Sequence, residues 1–170
     1  ARVLRLGFPG GPEIQREAEK TDHDIDPFPR PEIKGSLDFS FSGLKTAVVR
    51  RAEDDGFYPI QDYNRPSESV VRSYALAFQN AIVDCLVTRT LKAVDMYDGK
   101  GILIGGGVAA NTGLRNTLSR ESRVPVVAPR PGLCTDNGAM IGAAAYYRFK
   151  EGGATEWDMD AVPGLSLSDE

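Results

Sequence analysis

The longest amphipathic pattern in the chain opens at Pro66-Ser67 and runs to about Asp98. Within it Val70, Val71, Tyr74, Phe78, Ile82, Cys85 and Leu86 return at three- and four-residue steps. That spacing stacks side chains on one face of a helix, so it predicts one long helix whose apolar stripe packs in a core. Leu44, Ala47 and Val48 keep the same period and predict a second helix over Leu44 to Glu53. Just before it, Leu37-Asp38-Phe39-Ser40-Phe41 alternates apolar and polar residues, the period of a strand, and Ser42-Gly43 interrupts between the two. The opening Ala1 to Leu6 reads as the last turns of a helix closing at Gly7, as though the chain entered partway through a longer domain. After a Phe8-Pro9-Gly10-Gly11-Pro12 turn, a short helix is expected over Glu13 to Lys20, with Pro12 at its first position. Thr21 to Lys34 is polar and carries Pro27, Pro29 and Pro31, so it reads as an exposed loop or flap, and Asp54 to Arg65 as another.

The pattern changes from Gly101. Ile102-Leu103-Ile104 predicts a short buried strand running into Gly105-Gly106-Gly107, followed by a helix over Asn111 to Glu121, a strand over Val124 to Val127 and an Ala/Gly-rich helix over Thr135 to Lys150. Strand, helix, strand, helix in series predicts an α/β fold with right-handed crossovers. The organisation expected is one lobe over residues 1–150 and a loosely ordered tail over residues 151–170. No internal repeat is visible.

Composition narrows the class. The chain has 170 residues, 41% hydrophobic and 26% charged, which suits one folded domain and is too apolar for general disorder. No unbroken apolar run approaches the roughly 20 residues of a membrane span, and Ala1 to Gly10 holds no signal-peptide core. Cys85 and Cys134 stand far apart, which suggests neither a disulfide framework nor a cysteine zinc site. The expected compartment is the cytoplasm. The formal net charge of -4 lacks the basic footprint of a self-sufficient nucleic-acid binder, so any grip on RNA must come largely from elsewhere.

Several segments carry residue types suited to chemistry. Gly105-Gly106-Gly107-Val108-Ala109-Ala110-Asn111 lies between a strand and a helix, where Gly106 and Gly107 let backbone approach a phosphate and helix amides face an anion. It matches the glycine spacing of a dinucleotide fingerprint. The acidic residue expected about 20 positions later is missing, since that region reads Ala128-Pro129-Arg130, which excludes the Rossmann reading. A tight turn with Asn111 as a helix cap is the plainer alternative. In Cys134-Thr135-Asp136-Asn137-Gly138, helix capping accounts for one polar residue, whereas three in a row before small residues suggest a ligand or metal site. Asp38-Phe39-Ser40-Phe41-Ser42-Gly43-Leu44-Lys45-Thr46 offers Ser42 and Lys45 to a phosphate, without the spacing of a Walker A loop. The Pro-Gly-Gly-Pro turn alone reads as structural. His23 with Asp22, Asp24 and Asp26 reads as a solvated acidic patch, because a proline-rich loop does not hold metal ligands rigidly. No Gly-x-Ser-x-Gly elbow supports hydrolase chemistry.

Taken in order, Phe8 to Pro12, Phe28-Pro29-Arg30-Pro31, Leu37 to Thr46, Gly105 to Asn111 and Cys134 to Met140 resemble the C-terminal half of the TsaD/Gcp family, whose members were once labelled O-sialoglycoprotein endopeptidases. The resemblance spans about residues 1–150. It implies one lobe of an actin-like, sugar-kinase/Hsp70-type (ASKHA, RNase H-like) fold, in which two α/β lobes close over a nucleotide. It also implies an acyltransferase that moves a threonylcarbamoyl group from threonylcarbamoyl-adenylate to N6 of adenosine 37 in tRNAs reading ANN codons. By that resemblance Asp136 is a ligand of one divalent metal, iron or zinc. Asn111 contacts the adenylate or ATP, Gly11 lies against the same nucleotide, and Gly106, Gly107 and Ser42 are phosphate or adenylate contacts. Gln15 falls where many members carry a nucleoside-contacting aspartate.

Two features of the family are absent from the chain. The metal-binding His-x-x-x-His pair of the N-terminal lobe does not occur, and a substrate-binding aspartate normally precedes a segment like Ala1-Arg2-Val3. The resemblance therefore describes a half-site, expected to be inactive alone, since one carboxylate does not hold a divalent metal. Partner proteins of the modification complex are implied for tRNA binding, and an exposed cleft wall implies self-association of the lobe. The alternatives are an ASKHA-fold nucleotide-binding scaffold without catalysis, for which Gln15 speaks, and a related ATPase or sugar kinase.

Overall fold

The computed structural model describes the chain except Asp24, Pro31, Glu32, Lys34, residues 154–159, Ala161, Pro163 and residues 165–170. Most of the expected loose tail, and parts of the acidic patch and Phe28-Pro29-Arg30-Pro31 segment, therefore lie outside the described residues. The described elements are α1 (Gly10–Ala18), α2 (Ser42–Asp54), α3 (Glu68–Met96), β1 (Ile102–Leu103), α4 (Thr112–Glu121), β2 (Val126–Val127) and α5 (Gly138–Lys150), with single 3-10 turns at Gly107–Ala110 and Pro131–Leu133. The chain divides into two compact units, Ala1–Cys134 and Thr135–Glu170.

The first unit is built on α3. Ser67 starts the helix by accepting from the Val70 amide at 3.4 Å, which satisfies one orphan donor of the first turn. The N-terminal half of α3 packs Tyr74, Ala75, Ala77 and Ala81 against Leu4, α1 (Ile14, Ala18) and α2 (Leu44, Ala52), together with Phe28 and Phe57 from loops. Its C-terminal half packs Val83, Val87 and Val94 against Ile102 of β1 and against Leu114 and Leu118 of α4. Burial by two clusters explains why the predicted stripe is incomplete. Val70, Val71, Phe78, Ile82 and Leu86 lie at the margins, and small alanines occupy deep positions where neighbours approach closely. Helix α3 is also long and apolar enough to cross a bilayer on length and composition, which a count of unbroken apolar residues misses because Asp84 and Arg89 interrupt it. Both apolar clusters of the first unit nevertheless draw on it.

Strands β1 and β2 pair in parallel with Ile102 opposite Val126 and Leu103 opposite Val127, joined through α4 as the strand–helix–strand pattern predicts. Among the described residues the sheet has these two strands only. Ile102 faces the α3/α4 cluster while Leu103, on the opposite face, is 83% exposed. In the second unit Asn137 caps α5 by accepting from the Met140 amide at 3.0 Å. No residue of α5 is buried, and its Ile141, Tyr147 and Phe149 are exposed.

Four sequence expectations are corrected. Ala1 to Leu6 close with the hydrogen bonds of a helix C-terminus, but at Arg5 rather than at Gly7: the Leu6 amide bonds Ala1 O and the Arg5 amide bonds Arg2 O, each at 3.0 Å, and Arg5 takes the left-handed φ of 57° that ends the turn. Helix α1 begins at Gly10, not Glu13, so Pro12 sits within the first turn, where its missing N–H leaves no bond unmade. Leu37 to Phe41 forms no strand: no neighbouring strand among the described residues supplies a ladder, Phe41 turns to φ -104° and ψ 5° before α2, and Phe39 and Phe41 stack on each other at 6.1 Å. Ser42-Gly43 opens α2 instead of interrupting it.

The loop over Thr21 to Lys34, expected to be exposed, carries one buried residue among its described residues, Phe28, set edge-on to Tyr74. Tyr74 donates its hydroxyl to Asp55 at 2.5 Å. Burial first, and then this bond to a carboxylate, raises the Tyr74 phenol well above its ordinary value of 10.0. A raised folded-state pKa contributes stability that is intact below pH 10 and is lost as pH rises further, because the unfolded tyrosine ionises first. The stability advantage of wild type over Tyr74→Phe in urea unfolding is therefore expected to shrink between pH 9 and pH 11. An advantage independent of pH would show that Tyr74 is not held neutral by the fold.

Candidate functional site

Chain leaving the C-terminal end of β1 enters Gly105-Gly106-Gly107. Gly106 has φ 78° and ψ 174°, a conformation that only glycine adopts without strain, and all three glycines are exposed. The 3-10 turn Gly107–Ala110 follows, anchored by buried Ala109, and delivers Asn111 to the start of α4. Asn111 Oδ1 accepts from the Leu114 amide at 2.9 Å, so the plain capping role is filled.

Its amide nitrogen does more. Asn111 Nδ2 donates to Gln15 Oε1 of α1 at 3.0 Å and to Gln79 Oε1 of α3 at 2.8 Å. Gln15 Oε1 also receives the Thr112 amide at 3.3 Å, while Gln15 Nε2 and the Thr112 hydroxyl both donate to Glu19 Oε1, at 2.8 and 2.9 Å. Three helices thus meet in one polar network, and Asn111 uses both amide hydrogens and its oxygen there. Gly113 lies against it: a Cβ at that position would stand 3.2 Å from Asn111 Oδ1. Gly11 sits four residues before Gln15 on α1, exposed on the same side of the helix.

Sequence reading missed Gln79 and Arg115. Gln79 breaks the apolar run between Phe78 and Ile82, a polar residue in a core helix that signals a partner. Arg115 lies one turn after Asn111, and its guanidinium donates to Ala109 O, to Pro129 O at 2.7 Å and to Cys134 Sγ at 3.0 Å. One side chain thereby joins the segment after β1 to the segment after β2, the edge of a parallel sheet where α/β proteins place ligands.

The other named residues stand elsewhere. Ser42 is the exposed first residue of α2, its carbonyl accepting from Thr46 Oγ1 at 3.1 Å, and no described hydrogen bond joins it to the Asn111 network. Asp136 belongs to the second unit. The cap of α5 is Asn137, and Asp136, one residue earlier, is exposed. Among the described residues no three His, Cys, Asp or Glu side chains gather as a metal site, so Asp136 offers a single ligand and the chain's described residues do not hold a metal by themselves. His23 is exposed with Asp22 and Asp26. Cys85 and Cys134 are free and buried, and burial pushes the Cys85 thiol up, away from nucleophilic reactivity. A cavity of about 930 Å³ lies apart from the network, lined by residues that include Asp26, Arg50, Asp54 and Tyr74.

Glycine loop, capped helix and cross-helix amide network stand at the C-terminal edge of a parallel pair in a mixed α/β protein, the edge where such folds commonly place ligands. The family is then specific. Residues 1–143 match the TsaD family, tRNA N6-adenosine threonylcarbamoyltransferase, and the chain belongs to that family. Membership brings an ASKHA-type fold, consistent with the helix-rich mixed architecture described above. Proteins named tRNA N6-adenosine threonylcarbamoyltransferase are similar along nearly the whole chain. The one from Dehalococcoides mccartyi is 45% identical over 168 residues, covering 99% of this chain and 48% of its own length. The one from Bacillus subtilis is 41% identical over 173 residues, with 99% and 48% covered. The chain spans about half the length of these relatives.

Proposed function

We propose that this chain is the C-terminal lobe of an enzyme that transfers the threonylcarbamoyl group from threonylcarbamoyl-adenylate to N6 of adenosine 37 in tRNAs reading ANN codons. In that transfer the adenosine amine attacks the carbamoyl carbonyl, a C–N bond forms, the bond to the adenylate phosphate breaks and the amine proton departs. The observation that carries the reading is the Gln15–Asn111 hydrogen bond, 3.0 Å across 96 residues of sequence. It joins two residues that the family resemblance assigns to the nucleotide, with Gly11 and the Gly105–Gly107 loop alongside. In this reading Asn111 and Gln15 orient the nucleoside and exposed backbone of Gly106 and Gly107 meets its phosphate. Asp136 supplies one ligand to a divalent metal, iron or zinc, which when bound polarises the carbonyl. The remaining ligands, and tRNA binding through partner proteins, come from outside this chain, which alone is inactive.

The test joins this sequence to the upstream half found in its relatives and assays incorporation of labelled threonine into tRNA with partner proteins present. Label at adenosine 37 of ANN-reading tRNAs, and none in others, is the expected result. No incorporation where a relative named for this activity succeeds would remove the transferase reading.

A further inference from the structure

We propose that Gln79 is a positioning residue of the nucleotide site: its side-chain carbonyl fixes the orientation in which Asn111 meets the nucleoside. This role rests on the transferase reading above, in which Asn111 contacts that nucleoside. A carboxamide has two orientations that differ in which end donates, and a ligand contact depends on the one present. At Asn111 three bonds make the choice. Oδ1 accepts from the Leu114 amide at 2.9 Å, and Nδ2 donates to Gln79 Oε1 at 2.8 Å and to Gln15 Oε1 at 3.0 Å. The reverse orientation would set nitrogen against the Leu114 N–H and oxygen against two oxygens.

The two acceptors are not equivalent. Gln15 Oε1 also takes the Thr112 amide at 3.3 Å, and Gln15 stands on α1, nine residues long. Gln79 Oε1 accepts from Asn111 alone among the described hydrogen bonds. Gln79 stands in the 29-residue α3, between buried Ala77 and Ala81. A polar group carried by the core helix is the steadier support for a side chain at a loop-to-helix junction.

With both Nδ2 hydrogens engaged inside the protein, Asn111 keeps one capacity, the second lone pair of Oδ1. It therefore receives an O–H or N–H of the nucleoside and offers no donor to a phosphate oxygen. Room for that donor lies beside Gly113, where a Cβ would stand 3.2 Å from Asn111 Oδ1 and 3.5 Å from Gln79 Nε2. Gly113, Asn111 and Gln79 are each half-buried, so the corner they form stays within reach of a ligand. Gly113 lies in the first turn of α4 without a left-handed φ, so its backbone does not require glycine; the bare corner does.

The test uses the full-length protein of the transfer assay. AMP, the nucleotide part of the donor, is titrated by calorimetry, and transfer is measured with donor in excess. Gln79→Met keeps side-chain length and helix propensity and removes the acceptor. It is expected to loosen AMP about tenfold, the scale of one lost hydrogen bond, with transfer at saturating donor within about twofold of wild type. Gln79→Glu keeps an acceptor oxygen and is expected to hold AMP within about threefold of wild type. Gly113→Ala crowds the same corner, is expected to loosen AMP about threefold, and carries the test if Gln79→Met does not fold. NMR of protein labelled at asparagine reads the geometry without turnover. Both Asn111 Nδ2 hydrogens are expected to be protected from exchange in wild type and Gln79→Glu, and one to be released in Gln79→Met. Unchanged AMP affinity in the folded variants, with wild type active in transfer, would overturn the role of Gln79 and leave the transferase reading standing. Slower transfer at unchanged AMP affinity would make Gln79 structural only. Wild type inactive in transfer would overturn that reading instead, and protection unchanged in Gln79→Met would then remove the hold of Gln79 on Asn111 as well.

Discussion

Asp136→Ala in the full-length protein is expected to lower threonylcarbamoyl transfer by at least ~100-fold while changing the free energy of unfolding by less than about 1 kcal/mol. A carboxylate at the start of a helix has an obvious local use, but here that use belongs to its neighbour. Asn137 Oδ1 accepts from the Met140 amide at 3.0 Å and Asn137 Nδ2 donates to Thr135 O at 2.9 Å. Asp136 is left exposed, with only a general interaction with the helix dipole to lose. Asn137→Ala should show the opposite profile, costing about 1 kcal/mol as a lost cap. Metal content of the purified full-length protein provides a readout independent of turnover and should fall in Asp136→Ala alone. Full activity and unchanged metal in that variant would make Asp136 a surface residue without function.

Phe28→Ala is expected to cost about 3–5 kcal/mol in urea unfolding, a large part of the stability of a domain this size. Phe28 is 2% exposed, its ring 5.7 Å from that of Tyr74 and covered by the Arg51 guanidinium at 4.4 Å. Arg51 also donates to Asp26 O, so the same cation holds the loop backbone and the ring beneath it. Phe57 completes the cluster, 5.1 Å from Tyr74. Phe39→Ala serves as the comparison: that ring is 46% exposed, and its removal is expected to cost under about 1 kcal/mol. Equal, small losses from both would mean that the proline-rich loop is not part of the core.

The helices were legible from sequence because their signals are local. Ser67 and Asn111 announce helix starts through side chains that bond amides three residues on, and the period of α3 is visible over many turns. The strand–helix–strand order around α4 was legible for the same reason. Residues 37–41 show the opposite case: alternation is a local signal, but a strand also needs a partner, and partnership is not written in the segment itself. Phe28 looked like loop because its surroundings are prolines and acids, and what buries it comes from α2, α3 and a second loop. The candidate site divides in the same way. Asn111, Gln15 and Gly11 could be named from the resemblance to a family, whereas Gln79 and Arg115 act through contacts that cross helices.

Arg115 has a mechanical consequence. Its guanidinium holds Ala109 O on one side and Pro129 O and Cys134 Sγ on the other. The segments after β1 and β2 therefore share their motions instead of fluctuating separately. A ligand that settles on the glycine loop quiets both segments at once, and the conformational freedom it must remove is that of one body rather than two.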